Sequence, residues 1–408
     1  MRALVYDFSL PRYALALALG RTVPGLYYGR GTNFDLRPDW PAPVPPSDDF
    51  ATLAPTLAGI CGTDLAAIFQ KSSPALSAFA SLPAVFGHEV LARVVAPPAR
   101  SPLREGDRVV VDPFLSCTVR GITSCARCRQ GDYASCERAG TGPRKGMMIG
   151  ACAELPGAFG DRMVAHEFQL FRVPDGLDDD RAVLTEPLSV GVHAVLRNPP
   201  RAGERVLVIG GGIIALGTAW ALRELHPDVS VTLLALEDYQ TEMALALGVH
   251  HALRPRGEDV VLTLARETQA TVLRPMLGRP FLAGGYDQVI DCIGSQRSLD
   301  DALRVTRAGG TVVLLGGAGE ITKLDWSFVW SKELTIVGSL AYGWVDAPHA
   351  APPTRARTFA VTLELLTSTA RPVGSLVTHR YPLEQFGAAL EANLARRATR
   401  SIKTVFTL

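Results

Sequence analysis

Residues 205–215 limit what this chain can fold into more than any other stretch. Arg205-Val-Leu-Val-Ile209 is a short apolar strand, and Gly210-Gly211-Gly212-Ile213-Ile214-Ala215 follows it directly. Gly210, Gly212 and Ala215 fill the three positions of a strand–GxGxx(G/A)–helix turn. The first glycine permits the tight turn. The second lets backbone N–H groups approach a pyrophosphate, whose charge the helix N-terminus favours. Alone the motif is weak, since a glycine-rich turn without a ligand reads the same way. Its surroundings strengthen it. A helical pattern runs on to about His226, and a second strand is expected over Val229–Leu236, with a helix over Thr241–Leu247. Tyr286–Asp291, Thr311–Leu315 and Leu334–Val337 read as further strands, with a helix over Leu299–Val305. Strands alternating with helices predict a doubly wound parallel sheet.

In such a sheet the end of the second strand meets the adenosine ribose. An acid there takes the ribose hydroxyls, and a basic residue takes a 2′-phosphate. Ala235 and Leu236 stand at that point and can do neither. Glu237 and Asp238 follow, with no arginine beside them in the chain, so the sequence leans to NAD over NADP. A solvated loop accounts for these acids equally well.

The residues before 188 differ in character. They are rich in Pro, Gly and short β-branched runs such as Glu89–Val95 and Arg108–Val111, which predicts an irregular, mostly β domain. The tail holds a helical pattern near Phe359–Leu366 and an alternating strand-like end, Ser401–Phe406. Forty-one basic and forty acidic residues leave a formal charge of +1. With no basic stripe, neither nucleic acid nor an anionic membrane is an expected partner. No apolar run is long enough to cross a bilayer, and Met1–Tyr6 reads as a strand rather than a signal peptide. The expected compartment is the cytoplasm, where thiols stay reduced.

Two sets of metal-type residues stand out. Gly59-Ile-Cys61-Gly-Thr63-Asp64 and Gly87-His88-Glu89 offer thiolate, imidazole and carboxylate, the donors of a zinc that keeps an open position. Glu186, in Thr185-Glu-Pro-Leu-Ser-Val-Gly-Val-His193, adds a carboxylate just before the nucleotide-binding region begins. The second set is Cys117, Cys125, Cys128 and Cys136, four cysteines within twenty residues. Only Cys125 and Cys128 have the two-residue gap of a metal knuckle. A damaged zinc site, an intact site with extra residues, free thiols and a disulfide pair all fit that spacing, though a reducing compartment disfavours the last.

Taken in order, these motifs resemble the zinc-dependent medium-chain alcohol and polyol dehydrogenases. Val289-Ile-Asp-Cys-Ile-Gly294, Ala308-Gly-Gly-Thr-Val-Val-Leu-Leu-Gly316 and Lys332-Glu-Leu-Thr-Ile-Val-Gly-Ser339 extend the likeness over nearly the whole chain. The resemblance implies a GroES-like catalytic domain over 1–187 with a structural-zinc lobe at 112–140. A Rossmann domain would cover 188–338, and 339–408 would return to the catalytic domain. It implies one catalytic and one structural zinc, NAD or NADP, a small-molecule substrate, and a homodimer or homotetramer. Cys61 and His88 would bind the catalytic zinc, with Glu89 and Glu186 at the remaining ligand positions and Glu89 favoured. Thr63 would hydrogen-bond the reacting oxygen. Cys292, Ile293, Gly294, Leu315, Gly316, Gly317, Ser339 and Leu340 would line the nicotinamide, and Glu237 would reach the ribose. Substrate walls would come from 69–86, 152–159 and 342–353.

Family lobes space their four cysteines two, two and seven apart. Cys125, Cys128 and Cys136 keep the last two gaps. Cys117 keeps the expected lead-in, so the resemblance implies a complete Cys₄ site in which Thr118–Ile122 bulges outward as an insertion. One departure concerns chemistry. Many relatives carry a proton-relaying histidine five residues after the zinc cysteine, where this chain has Ala66. The leading expectation is hydride transfer between a nicotinamide and a secondary alcohol, polyol or matching carbonyl. Ala66 keeps a second expectation open, reduction of an activated carbon–carbon double bond. A third is a binding protein that kept the fold without catalysis.

Overall fold

Pro55 lies in the middle of the strand Phe50–Gly59, where a residue with no N–H to donate should be excluded. The pairing explains why it is tolerated. On one side this strand pairs with Glu89–Ala96 from Thr52 to Gly59, with register shifts between Thr52 and Leu53 and between Pro55 and Leu57. On its other side residues 50–53 pair with Met163–His166, and residues 57–59 pair with Lys403–Thr407. Pro55 falls in the gap between those two partners, so no ladder bond is lost there.

The computed structural model describes residues 1–255, 257–317, 319–347 and 354–408. The part of the expected 342–353 wall beyond residue 347 lies outside the described residues. The chain forms two units. The first comprises Met1–Glu186, Phe359–Ser368 and Gly374–Leu408; the second comprises Pro187–Thr358 and Thr369–Val373. Residues 339–347 and 354–358 therefore group with the second unit.

In the first unit a seven-stranded sheet runs in the order Val377–Pro382, Lys403–Thr407, Phe50–Gly59, Glu89–Ala96, Arg108–Val111 and Leu170–Arg172, with Met163–His166 off this path. Its core includes Leu53, Val90, Val94, Val109, Phe159 and Phe406. Strands 403–407 and 89–96 both run antiparallel to 50–59. The end of 50–59 and the beginnings of 89–96 and 403–407 thus share one end of the sheet.

The second unit holds a six-stranded, all-parallel sheet. Its order is His251–Leu253, Ser230–Leu234, Arg205–Ile209, Tyr286–Asp291, Thr306–Leu314 and Thr335–Gly338. The first strand in sequence lies at the centre, with later strands added first on one side and then on the other. That is the doubly wound order, with its ligand crevice where the order reverses, beyond Ile209 and Asp291.

Several elements were not anticipated, among them the strand His251–Leu253 and the helix Val260–Thr268. Leu10–Leu19 is an α-helix, and Thr271–Leu273 pairs with Phe281–Ala283 as a hairpin. Among the described residues no helix is long and apolar enough to cross a membrane.

Candidate active site and metal centres

The first metal-type group is assembled at the shared sheet end. Strand 50–59 delivers Cys61, which is the N-cap of the short helix Gly62–Ile68. There the Cys61 N–H donates to Asp64 Oδ2 at 2.9 Å, while the Cys61 sulfur accepts the backbone N–H of the third helical residue. The start of strand 89–96 delivers His88 and Glu89. Ligand atoms of Cys61, His88 and Glu89 all lie within 4.8 Å of one another. Glu186 is buried at the start of the helix Thr185–Arg197, but it is not a member of that close group. Thr63 is exposed in the first turn after Cys61, and Ala66 is half-buried.

The electrostatics suit a cation. Asp64 Oδ1 lies 3.5 Å from His88 Nδ1, and both side chains are buried. Burial opposes charge on His88, yet Asp64 and then Cys61 hold its pKa well above the ordinary histidine value. A buried imidazole set between a carboxylate and a thiol marks a place of excess negative field. A divalent ion there would answer the same field through thiolate, imidazole and carboxylate donors, so this donor set fits zinc.

Sequence reasoning missed the residue that partners Glu89. Lys403, 2% exposed, places its ammonium 2.6 Å from both Glu89 oxygens and 3.0 Å from the Ile60 carbonyl. Strand register brings them together, since Gly59 pairs with Glu89 on one side and Val405 on the other. Gly59 must lack a side chain, because a Cβ there would lie 1.9 Å from Glu89 Oε2. A signal was present: Lys403 is the one charged residue in an otherwise apolar and threonine-bearing strand. Asp64 was visible in its motif but carried no assigned role.

The four lobe cysteines also come together. Ligand atoms of Cys117, Cys125, Cys128 and Cys136 lie within 4.8 Å of one another, with Cys117 and Cys136 sulfurs 3.6 Å apart. Backbone N–H groups of Cys125 and Cys128 point at the sulfurs of Cys117 and Cys125, at 3.3 and 3.5 Å. The Cys128 thiol, donating to Cys136, draws the Cys136 pKa down to about 5 against the cost of burial. All seven cysteines are free of disulfides. Four close thiols with inward N–H groups suit a closed tetrahedral zinc, which has no open position for chemistry.

The five additional residues bulge outward only in part. Thr118 and Gly121 are exposed, but the segment makes a turn that carries its middle inward, with Gly121 at φ +67° and the Ile122 N–H returning to the Cys117 carbonyl at 3.1 Å. Val119 and Arg120 are 0% and 1% exposed. The Arg120 guanidinium donates to the carbonyls of Pro143, Arg144 and Gly146, and Arg144 donates back to the Val119 carbonyl. The outward expectation rested on insertions being surface loops. Here a buried arginine finds three carbonyls through its two terminal nitrogens, which offsets most of the cost of burial and leaves only its Nε without a partner. Arg120→Lys keeps the charge but loses the planar fork, and should lower unfolding free energy by about 1–2 kcal/mol. Urea denaturation checks this, and a midpoint equal to wild type would mean the insert is not a staple.

In the second unit the anticipated nucleotide residues gather at the carboxyl ends of the strands. The Gly210 N–H donates to Leu234, Cys292 to Ile209, Leu315 and Gly316 to Asp291, and Ser339 to Leu314. Gly210 has φ +134°, and a Cβ on it would lie 3.1 Å from Ala215 and 3.5 Å from Cys292. Gly212 caps the helix Ile213–Leu225. A Cβ on Gly316 would lie 2.3 Å from the Ile293 carbonyl carbon. Gly294, Gly317 and Leu340 occupy the same loops. The Ser339 hydroxyl is buried with no partner, as a group awaiting a ligand would be. Glu237 instead caps the helix Asp238–Ala246 through a reciprocal bond with Gln240. The turn and these loops form a backbone-lined cradle that fits a dinucleotide.

Known proteins agree with this architecture. The family model described as alcohol dehydrogenase GroES-like domain matches residues 48–175, and that described as zinc-binding dehydrogenase matches residues 226–354. L-idonate 5-dehydrogenase of Vitis vinifera is 28% identical over 352 residues, 86% of each chain. Sorbitol dehydrogenase of Arabidopsis thaliana is 27% identical over 352 residues, again 86% of each chain. The crystal structure of an alcohol dehydrogenase from Thermus sp. ATN1 superposes with a TM-score of 0.72 at 22% identity, covering 100% of this chain and 99% of that one. The chain belongs to the zinc-dependent medium-chain alcohol and polyol dehydrogenase family.

Proposed function

We propose that the protein is a zinc-dependent oxidoreductase that moves a hydride between a nicotinamide cofactor and a secondary alcohol, polyol or matching carbonyl. The observation that carries this reading is the grouping of Cys61, His88 and Glu89 ligand atoms within 4.8 Å of one another. Cys61, His88 and Glu89 would hold the catalytic ion, with Glu186 as the further carboxylate. Cys117, Cys125, Cys128 and Cys136 would hold the structural one. When bound, zinc at the first site supplies Lewis acidity, lowering the pKa of a hydroxyl or polarising a carbonyl.

The chain's own residues supply the rest. Asp64 orients His88 and Lys403 orients Glu89, each by a direct polar contact. Thr63, exposed beside Cys61, would take a hydrogen bond from the substrate hydroxyl and pass its proton to water. Gly210–Ala215 would carry the pyrophosphate. Cys292, Ile293, Gly294, Leu315, Gly316, Gly317, Ser339 and Leu340 would hold the nicotinamide. A bound oxidised nicotinamide would supply the hydride acceptor for the carbinol carbon, while the hydroxyl proton would leave by way of Thr63, so that the alcohol becomes a carbonyl.

The relatives are named for oxidising polyols and sugar acids, so a polyol is the substrate class to test first. The double-bond alternative rested on Ala66 alone, and the non-catalytic alternative needs no open ligand group. We also place the enzyme in the cytoplasm as a homodimer or homotetramer. Seven unpaired cysteines suit a reducing compartment, and among the described residues strand Thr335–Gly338 ends its sheet with one edge unpaired. The deciding assay presents oxidised cofactor with C4–C6 polyols and follows reduced cofactor by absorbance. Polyol-dependent reduction supports the reading. Turnover only with reduced cofactor and a conjugated enone would replace it.

A further inference from the structure

The sequence places no arginine beside Glu237 and Asp238, but the fold does. Strands 230–234 and 251–253 pair with Leu234 opposite Leu253, and the Ala235 N–H donates to the Leu253 carbonyl at 3.0 Å. The next residue, Arg254, is thereby set beside the turn that follows the second strand. Its guanidinium Nη1 lies 2.5 Å from Asp238 Oδ2. This turn belongs to the nucleotide cradle, because a Cβ on Gly211 would lie 2.3 Å from Gln240 Oε1 and 2.9 Å from the Ala235 methyl. Ala235, where an acid would clasp the ribose hydroxyls, offers only that methyl.

The turn thus holds the cation a 2′-phosphate needs and the anion that occupies it. Glu237 is committed to capping its helix and adds a second negative charge nearby. Arg254 is 27% exposed and Asp238 57%, so the pair is accessible to a ligand and contributes little to stability. A phosphate dianion approaching Arg254 must displace a carboxylate already in place and meet Glu237 as well. A ribose with a free 2′-hydroxyl has no such conflict.

We propose that Asp238 selects the cofactor by withholding Arg254, so that the protein binds NAD(H) over NADP(H) and carries a latent 2′-phosphate site. This rests on the dehydrogenase reading above. The test is direct binding rather than turnover: titration of the tryptophan fluorescence of the full-length protein with NADH and with NADPH. Wild type should bind NADH at least about tenfold more tightly. Asp238→Asn should tighten NADPH about tenfold, the value of about one charge-assisted contact. Adding Arg254→Ala to that variant should undo the gain. 2′,5′-ADP should follow NADPH, and 5′-AMP should follow NADH. The proposal is overturned if wild type prefers NADPH, or if Asp238→Asn leaves the ratio within about twofold of wild type. In either case NADH binding would still stand and leave the dehydrogenase reading intact. Absence of binding by both dinucleotides would remove that reading and this inference together.

Discussion

Cys61→Ser is expected to reduce turnover by about 10³-fold or more while leaving the fold intact. The size follows from the several kcal/mol that a Lewis-acidic ion supplies, at about 1.4 kcal/mol per factor of ten. Serine fits the space but is a poor zinc ligand, because zinc sites draw on sulfur, nitrogen and carboxylate donors rather than a neutral hydroxyl. Cys61 is only half-buried, so the structural cost is small. His88→Asn should behave alike, whereas Glu186→Gln should cost less, because Glu186 lies outside the close ligand group. Steady-state kinetics beside circular dichroism will check this ordering. If Cys61→Ser retained most of its turnover, the first metal group would not be the reaction centre.

Lys403→Met should lower the unfolding free energy by about 3–5 kcal/mol, the range for stranding one partner of a buried ion pair. Lys403 and Glu89 are 2% and 1% exposed, so water cannot replace the lost ammonium. The carboxylate packs directly over Gly59, where a Cβ would lie 1.9 Å from its Oε2. The Ile60 carbonyl would lose its donor as well. The double variant Glu89→Gln/Lys403→Met removes both charges and should regain most of that stability, though not activity. Guanidinium unfolding of the three proteins measures this. Additive losses, with no recovery in the double variant, would show that the two charges do not act as a pair.

Much of this was legible in the chain because the signals were local. The strand–glycine–helix turn at 205–215 needs specific residues at fixed offsets, so it could be read without tertiary knowledge. Most of the strand and helix order of the second unit followed from periodicity, with element ends that agree to within five residues, but the strand His251–Leu253 and the helix Val260–Thr268 went unread. Thr311–Leu315, for example, was expected where the strand is Thr306–Leu314.

What escaped was set by pairing between distant segments. Lys403 meets Glu89 across 314 positions, and only strand register reveals it. Arg254 reaches Asp238 because two parallel strands end side by side. Arg120 looked like a surface residue because an insertion is usually exposed, and its three carbonyl partners lie more than twenty residues away. The helix Leu10–Leu19 escaped for another reason. Leu10, Leu15, Leu17 and Leu19 are all exposed, so the segment lacks the one-sided apolar stripe by which a surface helix is recognised.

The central claim is that this chain holds two zinc ions at separate places, one closed and one open to substrate. Zinc per chain, measured by plasma mass spectrometry on purified wild type, Cys61→Ser and Cys117→Ser, tests it most directly. The account gives two ions for wild type and one for each variant. Cys117→Ser should also lose stability, and Cys61→Ser should not. A single zinc in wild type, lost with Cys117→Ser and untouched by Cys61→Ser, would contradict it.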